Sequence, residues 1–169
     1  MGHPAAGVSS PPRPIFKTIQ QLPRSDVSST LEELRTLERK SFAANEVFHL
    51  DDKVVKQRNL EILVGFNHLS TGSRVVAYAV SVTSNRRLLL HKVCVSPECR
   101  RRRIGYLLME TLIGNAKRRF CRGIDLWADE ANHAAKGLYL QHGFNVQETV
   151  QDYYSPGRNG VKMTLDLIE

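Results

Sequence analysis

Four consecutive arginines, Arg100 to Arg103, run into Ile104, Gly105 and Tyr106. They separate a β-rich run ending at Val95 from an apolar stretch with helical spacing that begins at Ile104. Such a junction can hold a phosphate. The first backbone N–H groups of a helix lack internal partners, and the helix dipole places partial positive charge there. Arginines beside it add charge and forked donors. Gly105 removes a side chain where a ligand must come close. An arginine run alone also reads as a solvated basic turn, or as a nuclear-localisation or RNA-binding patch. The rest of the chain has to separate these readings.

A second group lies downstream, Asn132-x-x-Ala135-x-x-Leu138-Tyr139, followed by Gly143-Phe144. With it, a resemblance emerges. Val95 through Leu108 resembles the acetyl-CoA motif of the GNAT superfamily, Arg/Gln-x-x-Gly-x-Gly/Ala after a strand that ends near Val-x-Pro. The Asn132 to Phe144 group resembles that family's second signature. The resemblance covers roughly Ile15 to Ile168 and is strongest from Val93 to Phe144. It implies an acetyl-CoA-dependent N-acetyltransferase working by direct attack in a ternary complex. Cofactor contacts are implied at Val93, Cys94, Val95, Arg100, Arg101, Arg102, Arg103, Ile104, Gly105, Tyr106, Asn132, Lys136 and Tyr139. One departure stands out: Arg103 occupies the place of the motif's first glycine. A backbone N–H serves a phosphate whatever its side chain, provided the residue stays helical. The Arg103 side chain must then point away from the pyrophosphate or contact it.

Acyl transfer to an amine sets further needs. The amine must be neutral to attack, yet a free lysine has a pKa of about 10.4 and an α-amine about 8. A base or water relay therefore helps. His91 is the candidate, at the place where arylalkylamine N-acetyltransferases carry a histidine. The developing oxyanion needs a donor, which the family draws from backbone N–H groups in the strand before the helix, here Val93 to Val95. Tyr139, at the tyrosine of the second signature, is the candidate acid for the departing thiolate. Asn132 serves as a helix N-cap or bonds the pantetheine arm. Trp127 stands where RimI-like N-terminal acetyltransferases often carry a carboxylate or histidine; here it shapes an acceptor pocket or packs in the core. His133 and His142 fall on a helix and are expected to be exposed.

Gln151 to Gly160 resembles the Tyr-Tyr-x-Pro loop of RimI-like enzymes, where tyrosines close over a peptide backbone. Tyr153, Tyr154 and Trp127 are therefore the candidate acceptor contacts. The acceptor is a protein or peptide N-terminus, or a small amine of the arylalkylamine or polyamine type. Glu33 and Glu46 are further groups able to meet an amine.

These residues need elements to position them. Ile15 to Ile19 alternates as a first strand. Thr30-Leu31-Glu32-Glu33 fits a capping box with Thr30 as N-cap, followed by a helix with Leu31, Leu34 and Leu37 at helical spacing, to about Ser41. Asp51 or Asp52 caps a short helix through Val54 and Val55. Ile62 to Phe66 and Val75 to Val82 read as a hairpin around a Ser70 to Ser73 turn. Asn85-Arg86 turns into a strand over Leu88 to Val95. Ile104, Leu107, Leu108, Leu112 and Ala116 form a helical stripe. Ile124 to Trp127 is a short strand, and Ala131 to His142 a helix with Gly143 as C-cap. Phe144 to Tyr154 and Gly160 to Ile168 are a final strand pair. The fold class is α/β: a GNAT-like, mixed and mostly antiparallel twisted sheet of about six to seven strands, flanked by about four helices.

The 169 residues suit one domain, expected over residues 15–169 behind a flexible tail over residues 1–14. At 41% hydrophobic the chain can bury a core, which excludes global disorder. That tail lacks the apolar core of a secretory signal, and no apolar run approaches the roughly 20 residues of a membrane span. A cytoplasmic or nuclear location, as a monomer or homodimer, is expected. Cys94, Cys99 and Cys121 have neither disulfide nor zinc spacing, so reduced, mostly buried thiols and no metal site are expected. A net charge of +7 calls for an anionic partner. The cofactor phosphates answer that. A basic nucleic-acid module is the rival class, disfavoured because no aromatic stacking platform is evident beside Arg100 to Arg103 or Lys117-Arg118-Arg119. A degenerate family member that binds CoA without catalysis is a further alternative, motivated by Arg103 and Trp127.

Overall fold

Apolar residues run almost unbroken through the middle of β2 (Leu60–Leu69) and β3 (Gly72–Ser84), and since successive side chains point to opposite faces, each strand must be covered on two faces. The computed structural model, which describes residues 13–69 and 72–167, covers them with helices on both sides. Most of the tail expected before Ile15, and the centre of the turn expected at Ser70 to Ser73, lie outside the described residues.

Seven strands form one sheet in the order β1-β2-β3-β4-β5-β7-β6. The remaining strands are β1 (Ile15–Thr18), β4 (Arg87–Val95), β5 (Gly123–Asp129), β6 (Asn145–Ser155) and β7 (Arg158–Asp166). All neighbours pair antiparallel except β4 and β5, which are parallel. Ile62 and Val64 of β2 join Tyr78 and Val80 of β3 on one face, under Leu31, Leu34 and Leu37 of helix α1 (Arg24–Ser41). Leu63, Ala77 and Ala79 face the other way, against Ile104, Leu108, Met109, Leu112 and Ala116 of helix α3 (Ile104–Arg118). Helix α4 (His133–Gln141) adds Tyr139 to that second core. Each fully buried leucine contributes on the order of 2 kcal/mol.

The start of α1 differs from expectation. It begins at Arg24 behind Pro23, and Thr30 is an interior helical residue buried at 4% exposure. Pro23 starts the helix with its φ fixed near −55°, and Asp26 supplies first-turn negative charge. A helix start needs no capping box when proline already ends the preceding extended segment. The short helix α2 (Asp52–Val55) is capped as expected, Asp51 accepting from the Val54 N–H at 2.8 Å. Asn85 and Arg86 turn β3 into β4 with both φ positive.

Candidate functional site

The pairing of β4 with β5 runs only from Arg87↔Gly123 to Leu90↔Leu126. Beyond it, β4 continues to Val95 and β5 to Asp129 without bonding to each other. The two strands therefore part, and because ladder bonds alternate and the Ser96 N–H bonds the Val76 carbonyl, the amides of Val93 and Val95 point to the β5 side while Cys94 is the residue turned to β3. A bulge marks the parting. Val80 pairs with Lys92 and Ser81 with Leu90, so His91 has no partner on β3. A bulge adds one residue to one strand and swings it off the ladder.

The N-terminus of α3 closes one end of this slot. Arg100 is extended, Arg101 has φ of 62° and Arg103, the N-cap of α3, has φ of 61°. Arg103 is thus left-handed, which corrects the expectation that it stays helical. This is the conformation a glycine adopts without strain, and that accounts for the glycine of the family motif at this place. The Arg103 guanidinium lies 4.6 Å from the centre of the Tyr106 ring. Tyr106 in turn packs on His142 at 4.3 Å. The side chain is held aside by this stack, and the arginines 100 to 103 are all exposed. A Cβ on Gly105 would meet Val95 and Leu138 at 3.5 and 3.6 Å, ordinary contact distances, so Gly105 faces the gap between β4 and α4. Free backbone donors at a helix start, exposed guanidinium groups and unpaired strand amides fit a pyrophosphate followed by an amide-bearing arm.

Asn132 is the N-cap of α4, accepting from the Ala135 N–H at 3.1 Å. Lys136 turns back to the Glu130 carbonyl at 3.5 Å. Tyr139 is buried against Phe144, with ring centres 5.8 Å apart. Burial, with Tyr154 nearby, pushes its hydroxyl pKa up to about 12. The side chains of Ile104 and Cys94 do not face the slot. Ile104 belongs to the α3 core, and the buried Cys94 thiol points to Ser41 on the α1 face. Burial raises the Cys94 pKa, which keeps the thiol neutral.

The α1 face of the sheet carries the other candidates. His91 reaches solvent, its ring 6.2 Å from that of Phe48, and partial burial holds its pKa below the usual histidine value. Trp127 stacks on Tyr153 at 4.3 Å with planes 10° apart, and Tyr154 meets Tyr153 edge-on. The stack requires Gly160, because a Cβ there would lie 2.5 Å from the Tyr153 ring. Ile124, Leu126 and Ala128 face the α3 core, so strand alternation sends Trp127 to the α1 face. Tyr139 and His91 thus reach the parted strands from opposite faces of the sheet.

Several residues here were not singled out from sequence. Arg158 donates to Asp129 at 2.9 Å and also to Glu46, tying the β6–β7 hairpin to the loop after α1. Glu38, fully buried, accepts from the Tyr78 hydroxyl and the Phe48 N–H, with the Lys92 ammonium at 3.9 Å. Lys92 also donates to the Glu46 carbonyl at 2.6 Å, and burial lowers its pKa. A glutamate at the apolar-stripe spacing of Leu31 and Leu34 was the available signal for Glu38. Two expectations are corrected. Glu33 accepts from the Val75 N–H at 3.0 Å and so anchors α1 to β3 rather than facing an acceptor. His142 is half-buried, not exposed, because Tyr106 covers its ring. Among the described residues no cluster of metal-ligating side chains occurs, and no helix is long and apolar enough to cross a membrane.

A profile of the acetyltransferase (GNAT) family matches residues 28–144. No curated protein matches the sequence. The fold is similar to that of the ribosomal-protein-S18-alanine N-acetyltransferase from Escherichia coli, with a TM-score of 0.72 and 20% identity over 92% of this chain and 96% of that one. A structure of the NatC complex bound to Gag peptide and CoA has a similar chain, with a TM-score of 0.75 and 20% identity over 93% and 100%. The aminoglycoside 6'-N-acetyltransferase from Enterococcus faecium gives 0.71 and 14% over 92% and 98%. At these identities the likenesses speak for the fold alone, while the profile covers most of the chain. The chain belongs to the GNAT acetyltransferase family, and it is an N-acetyltransferase that uses acetyl-CoA.

Proposed function

We propose that the acceptor is the α-amine of a peptide or protein. The observation that carries this reading is the aromatic wall of Trp127, Tyr153 and Tyr154, locked beside the parted strands by Arg158. Flat rings on a β-hairpin offer apolar cover along an extended backbone while leaving amide edges free to bond. One similar chain is named a ribosomal-protein-S18-alanine N-acetyltransferase and another belongs to a complex bound to Gag peptide and CoA, and this agrees with the reading.

In this reading Arg100 to Gly105 hold the cofactor phosphates, and the outward amides of Val93 and Val95 bond the pantetheine arm and the oxyanion. Asn132 fixes the start of α4, and Lys136 lies beside it. His91, neutral near pH 7, accepts a proton from the amine directly or through water as the amine attacks the thioester carbonyl. The C–N bond forms, the C–S bond breaks, and Tyr139 gives its proton to the departing thiolate. A phenol with a pKa near 12 remains protonated through the working pH range, so it begins each cycle as an acid.

The test is an acceptor screen following CoA release, with an N-terminal peptide library beside arylalkylamines, polyamines and aminoglycosides. Peptides turning over with a preference at their first residues are expected. Inert peptides with one active small-amine class would replace this acceptor with a small amine. Tight acetyl-CoA binding with no active acceptor of any class would leave a cofactor-binding protein without catalysis.

A further inference from the structure

The end of the molecule away from the parted strands carries a second cluster that acetyl transfer does not use. Helix α3 ends at Arg118, and its 15 residues span about 22 Å, so its C-terminus is far from the phosphate turn at its start. Phe120 follows, 75% exposed and with φ of 56°. The Cys121 N–H bonds back to the Ala116 carbonyl at 3.0 Å, which closes the helix with Phe120 at the left-handed position. Glycine is the usual occupant of that position, and a bulky side chain there is strained. The ring gains nothing from the core in return: Cys121 is buried, and Phe120 stands in solvent.

Cationic residues occupy the segments next to this ring, with the Arg118 guanidinium donating to the Asn115 side chain one turn back. The Arg86 guanidinium donates to the Phe120 carbonyl at 3.0 Å, and the Arg122 N–H donates to the Arg86 carbonyl at 2.6 Å. Lys117 and Arg118 lie on the last helical turn, where they also complement the helix dipole. The neighbouring carboxylates are already matched, Glu61 by Arg119, and Asp125 and Asp166 by Arg87. Arg86, Lys117, Arg118 and Arg122 are exposed and have no carboxylate partner among the described residues. The dipole accounts for two of these four and for nothing about Phe120.

We propose that this face binds single-stranded RNA, its phosphates on Arg86, Lys117, Arg118 and Arg122 and an unpaired base stacked on Phe120. Three of the four cations are forked guanidinium groups, the shape that pairs with phosphate oxygens. An open aromatic face within a basic patch is the arrangement by which proteins hold single strands without reading sequence. A membrane-binding face would need a strip of apolar residues, and only one ring is present. The arginine runs alone carry no stacking platform; the fold supplies one by turning Phe120 outward. The site lies away from the cofactor turn, so RNA and acetyl transfer need not compete.

The test is fluorescence anisotropy of the full chain with labelled oligouridylate, titrated between about 50 and 200 mM salt. The slope of log affinity against log salt is expected near −3, roughly −0.7 for each of four cations. Phe120→Ala is expected to weaken binding about five-fold or more, with the slope kept and Phe120→Trp restoring affinity. Lys117→Glu with Arg122→Glu is expected to flatten the slope by roughly 1.4. Unchanged acetyl-CoA binding in each variant shows that the fold persists. The proposal is overturned by absence of binding at the lowest salt, or by equal affinity for polyglutamate. It is also overturned by binding to phosphatidylserine vesicles but not RNA, or by full affinity in Phe120→Ala.

Discussion

The Arg158 guanidinium lies 2.9 Å from the Asp129 carboxylate while also bonding Glu46. One side chain of β7 thus holds together β5, the final hairpin and the loop after α1, the three segments around the aromatic wall. Both carboxylates lift the Arg158 pKa, so the bridge is charged at any working pH. Arg158→Gln keeps hydrogen bonding but loses the charge. The expected result is a rise in KM for the peptide of roughly five-fold, with the KM for acetyl-CoA unchanged. Steady-state kinetics with each substrate varied in turn distinguishes the two.

Tyr139→Phe removes a proton donor and leaves a ring that still packs against Phe144. Loss of general acid catalysis lowers turnover by about 100-fold. Acetyl-CoA affinity by calorimetry is expected to stay within about two-fold of wild type, since no phosphate contact is touched. Equal turnover of mutant and wild type would remove Tyr139 from the mechanism.

The pH profile separates His91 from the substrate amine. His91 has its pKa held below 6.5 by partial burial, and it must be neutral to act. The acid limb of kcat/KM should therefore show two ionisations. One is the free α-amine near 8, and the other lies below the usual histidine value of about 6.5. In His91→Ala the lower ionisation vanishes and the upper one stays. If both persist, water acts without His91.

Arg103 offers a test of backbone strain. With φ at 61°, Arg103→Ala keeps the strain and loses the packing over Tyr106. Arg103→Gly loses the same packing but relieves the strain. The glycine variant should be more stable than the alanine variant by about 1 kcal/mol in urea denaturation.

Glu38 is buried at 0% exposure and satisfies Tyr78 and the Phe48 N–H. Glu38→Ala strands those donors and the half-buried Lys92 ammonium. A loss of about 3 kcal/mol is expected in chemical denaturation. Glu33, half-exposed at its single Val75 bond, should cost far less, about 1 kcal/mol, when changed to Gln.

The arginine-rich turn at the start of α3 and the Asn132-capped start of α4 were legible in the sequence because both are local. A strand, an arginine-rich turn and a helix start lie within about a dozen consecutive residues, and Asn132 caps α4 three positions before the N–H it accepts. Periodicity over Leu108, Leu112 and Ala116 likewise fixes which side of α3 is buried. Thr30 shows the limit of local reading: its capping-box spacing was present, but Pro23 had already begun the helix.

What the sequence determined by itself was therefore the strand–arginine turn–helix junction, the order of elements and the family they compose. Tertiary structure decided the rest. Pairing of β4 with β5 stops after Leu90 and Leu126, and no residue at that point announces it. His91 and Tyr139 approach the gap from opposite faces, Arg158 finds partners 29 and 112 positions earlier in the chain, and Phe120 turns outward among cations from two different turns. The physical reason is common to all four. Periodicity and capping depend on neighbours a few residues away, whereas pairing, ion bridges and exposure depend on which distant segments the sheet brings together.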